Sequence, residues 1–338
     1  MKAAILEKIN APLTIREIEP TPLKVGQVYV KVLTSGLCGA QLHEIRGHKG
    51  NAKFLPHLMG HEGCGIVKEV GPGVTTVEEG DKVVMHWRPG SGIESEFPQY
   101  ILDDGKKISS GKCTTLSEYS IVSENRLTKI PYDTPTVLAA MLGCSLTTAL
   151  GIIDNECDLK FGESVAIVGC GGVGLNLIQA AKMKSASPIY AVDINETMSM
   201  LSSKMGADSF VYNVSDILQK VDVIIDTTGV PPVISAAYDK LAPSGRLILV
   251  GQPRPGAEVE IPNAVSMFDG TGKSIRATQG GGTDPEKDIP RYIALADRGL
   301  LEYESLHTNT FTLDRINDAF DLLRSGDAGR IMINIGEE

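Results

Sequence analysis

Val165-Ala-Ile-Val-Gly169-Cys-Gly171-Gly172-Val173-Gly174 reads as a short apolar strand, a glycine turn and the opening of a helix. The glycines follow the spacing G-x-G-x-x-G. Gly169 makes the tight turn, Gly171 lets the backbone approach a pyrophosphate, and Gly174 lets the helix pack close on the strand. The helix opening at Val173, just after Gly172, offers free N–H groups and a positive dipole end to phosphate oxygens. Asp193 closes the next strand, 19 residues beyond Gly174. A carboxylate there accepts from both ribose hydroxyls and repels a 2′-phosphate. The stretch predicts a dinucleotide site that takes NAD over NADP. The competing reading is a Gly-rich turn in an unrelated α/β domain, with Asp193 a surface carboxylate.

Working outward, the chain from Ser164 alternates short apolar strands with amphipathic helices. Strands are expected at Val165–Val168, Ile189–Ile194, Ser209–Tyr212, Val221–Thr227 and Arg246–Val250. Helices are expected at Val173–Lys184, Glu196–Met205 and Pro232–Leu241. That βαβ rhythm predicts a parallel sheet covered by helices on both faces. Before it lies a β-rich half, with strands expected at Lys2–Lys8, Leu13–Glu19, Gln27–Leu33, Gly63–Gly71 and Asp81–Trp87. A helix is expected over Thr136–Ile153. Arg88–Lys112 has no sustained period and reads as an irregular excursion. After a Gly run near Gln279, helices are expected at Ile289–Arg298 and Arg315–Arg324, then a strand at Arg330–Ile335.

The chain has 338 residues, about two domains' worth. Hydrophobic residues make up 42% and charged residues 22%, a globular composition. The formal net charge is −10 with no basic run, which argues against nucleic acid or an anionic membrane as partner. The first residues lack a signal-peptide profile, and no stretch of about 18 apolar residues predicts a membrane span. Six cysteines at 38, 64, 113, 144, 157 and 170 form no C-x-x-C. They read first as free thiols in a reducing cytoplasm.

Three residues invite a sharper reading. Cys38, His61 and Cys144 each sit among glycines, in Gly36-Leu-Cys38-Gly, Gly60-His61-Glu62-Gly and Gly143-Cys144-Ser. Two thiolates and one imidazole leave a tetrahedral zinc with one open position, the composition of a catalytic site. Spacing does not decide it. Buried thiols and a capped or surface histidine remain open on composition alone.

The motifs taken together resemble the zinc-dependent medium-chain alcohol dehydrogenases. Gly36-Leu-Cys38-Gly, Gly60-His61-Glu62-Gly-Cys-Gly-Ile-Val, Gly71-Pro-Gly-Val, Gly80-Asp-Lys-Val-Val, Gly143-Cys144, the dinucleotide loop, Gly280-Gly-Gly-Thr and Asp288-Ile-Pro-Arg occur in the family's order along the whole chain. The resemblance implies an α/β architecture: a GroES-like β-rich catalytic domain from 1–145 and 279–338, with a Rossmann NAD-binding domain, 146–278, inserted. It implies that Cys38, His61 and Cys144 ligate zinc and that Glu62 is the nearby carboxylate that can approach the metal. It places Thr148, Val250 and Gln252 beside the nicotinamide and gives Arg330 to the pyrophosphate. It puts Trp87 on the substrate pocket wall, with His86 and Arg88 beside it. It also implies a homodimer or homotetramer, joined through the edge of the Rossmann sheet, for which Glu258–Phe268 is the candidate strand.

Three departures qualify the resemblance. Many members carry a second, structural zinc on four close cysteines, whereas only Cys113 lies in that region here, so one zinc per chain is expected. A Ser or Thr two residues after the first ligand often begins a proton relay, and here it is Ala40, with His43 retained. An Asp that often supports the ligating histidine appears as Gln41, which raises ligand basicity less. The polar composition of the excursion favours a polyol, sugar or sugar derivative as the alcohol or carbonyl substrate. The weighed alternatives are a zinc-free quinone or enone reductase of the same superfamily and a non-catalytic nucleotide-binding redox sensor.

Overall fold

A computed structural model describes residues 1–337, apart from the side chain at position 51. Two compact units emerge. One comprises Met1–Thr147, Asp284–Gly299 and His307–Glu338, and the other Thr148–Thr283 and Leu300–Leu306.

The second unit is built on six parallel strands in the order Ser209–Val211, Ile189–Val192, Val165–Val168, Val221–Asp226, Leu241–Leu249, Ser274–Ala277. The order reverses beside Val165–Val168, the first strand, at the point where open α/β sheets bind ligands. All four residues of that strand are buried, as expected of a central strand covered on both faces. Helices Gly172–Met183, Met198–Met205 and Pro231–Lys240 alternate with the strands. The core on one side gathers Val168, Val192, Ile224, Ile234, Tyr238 and Leu247.

Glu258–Phe268 is not a strand. Pro262 cannot donate to a ladder, and Asn263 is left-handed at φ 50°, leading into a 3-10 turn over Ala264–Phe268. Val259 and Ile261 instead pack on the core of this unit. The outermost strand on that side is Ser274–Ala277, exposed along its length.

The first unit has two sheets. A closed barrel joins Lys2–Leu6, Thr14–Pro20, Gln99–Leu102, Lys107–Ser109 and His57–Leu58. A seven-stranded sheet runs Leu127–Lys129, Lys82–His86, Glu62–Val70, Gln27–Gly36, Arg330–Asn334, His307–Thr312, with Tyr119–Ser123 also on Gln27–Gly36. The excursion after Arg88 is thus not wholly irregular: Gln99–Leu102 and Lys107–Ser109 pair with each other and close the barrel. Its alternation is too short to register as a period.

The helix expected over Thr136–Ile153 is also interrupted. Thr136–Leu142 and Ser145–Gly151 are separate helices, with a π-helical turn at Ile152–Glu156. Gly143 marks the break. A Cβ there would lie 2.4 Å from the Met85 carbonyl oxygen and 2.8 Å from the Glu62 Cα, so only glycine lets the chain pass this close to the sheet.

Candidate metal centre and dinucleotide loop

Three structural accidents of sequence bring the candidate ligands together. Cys38 follows the strand Gln27–Gly36 and caps the helix Gly39–Ile45. His61 immediately precedes the strand Glu62–Val70, which runs antiparallel to the first with Ser35 opposite Gly63. Cys144 sits in the break that Gly143 creates, packed against the start of that same strand. The Sγ, ring nitrogen and Sγ of Cys38, His61 and Cys144 all lie within 4.8 Å of one another. A tetrahedral zinc with Zn–S of about 2.3 Å and Zn–N of about 2.0 Å spans ligand edges of about 3.5–3.8 Å. The donor set therefore fits zinc by softness, number and reach. No other such group of three occurs among the described residues. Cys38 and His61 are half-buried and Cys144 buried, which leaves one side of the triangle open.

The electrostatics suit a cation. The Cys144 thiol donates to the Cys38 sulfur, which holds Cys38 well below the usual thiol range and drives Cys144 well above it. Burial pulls His61 down, but its hydrogen bond to Cys38 and the charge there outweigh burial and raise it. The Cys38 N–H donates to Gln41 Oε1 at 2.8 Å, so the Gln41 amide fixes the ligand loop through its backbone. Gln41 is fully buried, and its Nε2 finds no partner among the described residues.

Glu62 and Arg330 form a buried ion pair below the ligand set, with side chains 0% and 3% exposed. Arg330 Nη1 donates to the Leu37 carbonyl at 2.9 Å, and Nη2 donates to Glu62. Glu62 also accepts the Ser145 N–H at 3.3 Å, one residue past Cys144. Burial raises the Glu62 carboxyl, and Arg330 opposes the rise. The expectation that Arg330 reaches a pyrophosphate meets a guanidinium already committed at both terminal nitrogens. The sequence gives no sign of this pair, which joins residues 268 positions apart.

His43 lies on the helix Gly39–Ile45 with its Nδ1 3.4 Å from His48 Nδ1. Burial and the nearby His48 lower its pKa. His86 is 2% exposed, with Nδ1 2.7 Å from the Arg88 carbonyl and Nε2 3.0 Å from Thr128 Oγ1. Both ring nitrogens are spent on the fold, which removes His86 as a donor to substrate. It fixes the backbone at Arg88 instead. Trp87 lines a pocket with Glu94, Phe97, Lys112, Cys113 and Arg126.

In the second unit the glycine loop takes the shape its spacing predicts. Gly169 has φ 89°, a Cβ on Gly174 would lie 1.9 Å from the Gly169 carbonyl oxygen, and one on Gly171 would meet nothing within 4 Å. The open side at Gly171 and the helix beginning at Gly172 form a cradle that fits a pyrophosphate. Asp193 accepts the Cys170 N–H at 2.7 Å and the Asn195 N–H at 2.9 Å, so its carboxylate is anchored beside the loop. Thr148 lies on the helix Ser145–Gly151, buried, with its carbonyl against Gly281. The Val250 N–H donates to the Asp226 carbonyl at 2.8 Å, and the backbones of Gly229 and Gln252 pass close together.

Sequence reasoning missed Asp226. It is fully buried at the end of Val221–Asp226 and accepts from Thr228 Oγ1 at 2.6 Å and the Gly229 N–H at 2.9 Å. Thr227 Oγ1 in turn donates to Gly169 at 2.9 Å. Asp226 thus shapes the turn on which the glycine loop rests. An acidic residue closing the apolar run Val223–Ile225 was the available signal.

A doubly wound dinucleotide unit and a β-rich unit carrying an open Cys₂His set define a zinc-type dehydrogenase. Residues 24–132 match the alcohol dehydrogenase GroES-like domain and residues 172–298 the zinc-binding dehydrogenase domain. Alcohol dehydrogenase 6 of Peromyscus maniculatus is 30% identical, over 98% of this chain and 97% of its own. An S-(hydroxymethyl)glutathione dehydrogenase of Escherichia coli is 30% identical, over 98% and 99%. The crystal structure of benzyl alcohol dehydrogenase from Acinetobacter calcoaceticus superposes with a TM-score of 0.87 at 25% identity, covering 99% of each chain. The chain belongs to the zinc-dependent medium-chain alcohol dehydrogenase family and is an NAD-dependent enzyme of it.

Proposed function

We propose that this protein moves a hydride between NAD(H) and a polar alcohol or carbonyl compound, a polyol, sugar or sugar derivative, at a single zinc held by Cys38, His61 and Cys144. The observation that carries the reading is the convergence of those three ligand atoms within 4.8 Å on one half-open face. A bound zinc supplies Lewis acidity toward the substrate oxygen, and NAD supplies the hydride acceptor.

The chain's own residues do the rest. Gly143 places Cys144 by allowing close approach to the sheet, and Gln41 fixes the Cys38 backbone. Glu62, neutralised by Arg330, holds the Ser145 N–H beside Cys144. Gly171 and the helix starting at Gly172 receive the pyrophosphate, with Val173 and Gly174 in the same first turn. Asp193 accepts the ribose hydroxyls and disfavours a 2′-phosphate. Thr148, Val250 and Gln252 are assigned to the nicotinamide end. Ala40 offers no hydroxyl, so the substrate proton leaves through His43, whose lowered pKa keeps the imidazole neutral and able to accept at pH 7. A cytoplasmic homo-oligomer belongs to the same reading, supported by six free thiols and the exposed edge strand Ser274–Ala277.

The test is elemental analysis of protein purified without added metal, followed by NAD⁺ reduction across polyols, sugar alcohols and simple aliphatic alcohols. One zinc per chain with highest kcat/KM on polyhydroxylated substrates is expected. No zinc after reconstitution would overturn the metal assignment, and a preference for aliphatic alcohols would overturn the substrate class.

A further inference from the structure

The excursion after Arg88 borders a second pocket, which shares Trp87 with the expected substrate wall. Trp87, Glu94, Phe97, Lys112, Cys113 and Arg126 line a pocket of about 320 Å³, at the lower end of small-molecule sites. It shares no residue with the metal set or the glycine loop. Two of its walls are aromatic. Its charges do not cancel: Lys112 and Arg126 bring two cations, and Glu94 brings one carboxylate.

Glu94 is already engaged. It accepts from Lys112 and from Asn125 Nδ2 at 3.3 Å, and it lies 3.7 Å from Arg126 Nη2. The Lys112 ammonium also stands 5.1 Å over the Phe97 ring. Arg126 is left short of partners: its side chain is 12% exposed, and its buried Nη1 has no acceptor among the described residues. A mostly desolvated guanidinium that lines the pocket, with its ion-pair partner Glu94 as far as 3.7 Å from Nη2, favours an anion there. Burial pushes the Cys113 thiol up to about 12, so it adds no negative charge to the pocket.

We propose that this pocket binds a small aromatic monocarboxylate, whose carboxylate accepts from Arg126 and Lys112 and whose ring lies against Trp87 and Phe97. One net positive charge matches a monoanion, and the planar guanidinium fork matches a carboxylate. The aromatic walls match a flat ring more than a compact hydrated anion. A phosphate dianion would exceed the available charge and face Glu94.

Trp87 is the only tryptophan in the chain, so its emission reports on the pocket directly. Benzoate is titrated into the full-length protein at fixed ionic strength while that emission is followed, with benzamide and inorganic phosphate in parallel. A saturable change with benzoate is expected, absent with the neutral amide and with phosphate over the same range. Arg126→Gln weakens benzoate at least tenfold with turnover unchanged. Glu94→Gln, which removes the competing carboxylate, tightens it several-fold. The pair of opposite shifts keeps the test informative if one variant folds poorly, and near-UV circular dichroism checks each. No saturable change, or an Arg126→Gln titration that matches wild type, overturns the site. Equal binding of benzamide overturns the carboxylate requirement, and equal binding of phosphate overturns the aromatic one.

Discussion

Replacing Arg330 with Met tests whether the ion pair beneath the metal set holds that region together. The two side chains are 3% and 0% exposed, and Gly36 has no Cβ because one there would lie 2.8 Å from Arg330 Nη2 and from Glu62 Cδ. The pair is packed against the chain at Gly36 and shut off from bulk water. Arg330→Met leaves Glu62 buried with the Ser145 N–H at 3.3 Å as a hydrogen-bond donor, and it strips the Leu37 carbonyl of the Arg330 donor. Breaking one side of a buried pair costs about 3–5 kcal/mol. At ~2–4 °C per kcal/mol for a chain of this order, Tm falls by roughly 6–20 °C. Replacing both partners removes the stranded charge, so Glu62→Leu with Arg330→Met recovers most of the loss. Thermal unfolding by circular dichroism on the four proteins of the cycle gives the coupling. The reasoning fails if Arg330→Met alone costs less than about 1 kcal/mol, or if the double variant loses the sum of the singles.

Three further outcomes follow from single positions. Gly174→Ala drives a methyl to 1.9 Å from the Gly169 carbonyl, a backbone atom that cannot yield, so NADH affinity by fluorescence titration drops at least tenfold; wild-type affinity would refute the close packing. Asp193→Ala lowers kcat/KM for NAD⁺ and raises the NADP⁺-to-NAD⁺ ratio at least tenfold, and an unchanged ratio would separate Asp193 from the ribose. His86 is pulled by burial from 6.5 to about 4, so an unfolded chain takes up a proton in that window that the folded chain refuses. Stability falls by up to about 3 kcal/mol as pH drops across it, and His86→Asn flattens that part of the urea-midpoint profile; an unaltered slope would mean that His86 charges in the folded state.

The parts of the molecule that were legible in sequence are those governed by local constraint. A strand buried on both faces must be apolar throughout, and Val165–Val168 is. A turn at φ 89° must be glycine, and Gly169 is. The metal set was legible only through resemblance, because Cys38, His61 and Cys144 meet through sheet pairing and a helix break, not through spacing. The Glu62–Arg330 pair was illegible for the same reason: burial of a charge is a property of the whole fold, and no window of sequence carries it. Glu258–Phe268 misled because Val259 and Ile261 alternate as a strand would, yet both pack inward on the core while Pro262 and Asn263 turn the chain away. Period two records which side is buried, not whether a neighbour is there to pair.

The cysteine-poor excursion shows how a chain can order a long connection by other means. Glu124, fully buried, accepts backbone N–H groups from Thr75 at 2.6 Å, Thr76 at 2.9 Å and Ile93 at 2.7 Å, and so ties two loops to one carboxylate. These hydrogen bonds overcome burial and hold the Glu124 carboxyl below its usual value. Ser123 Oγ accepts the Ser95 N–H at 2.9 Å and donates to the Ile93 carbonyl at 3.1 Å. Farther along, Gln99–Leu102 and Lys107–Ser109 are held by strand pairing within the barrel. Each of these contacts satisfies backbone groups, the obligatory part of ordering a loop. The side chains between them are thereby spared from ordering the backbone, and Glu94 and Phe97, each in contact with Lys112, line a pocket with it. A connection clamped by four thiolates would have had its side chains committed to the clamp. Here the backbone carries the order, and the surface it encloses is available for binding.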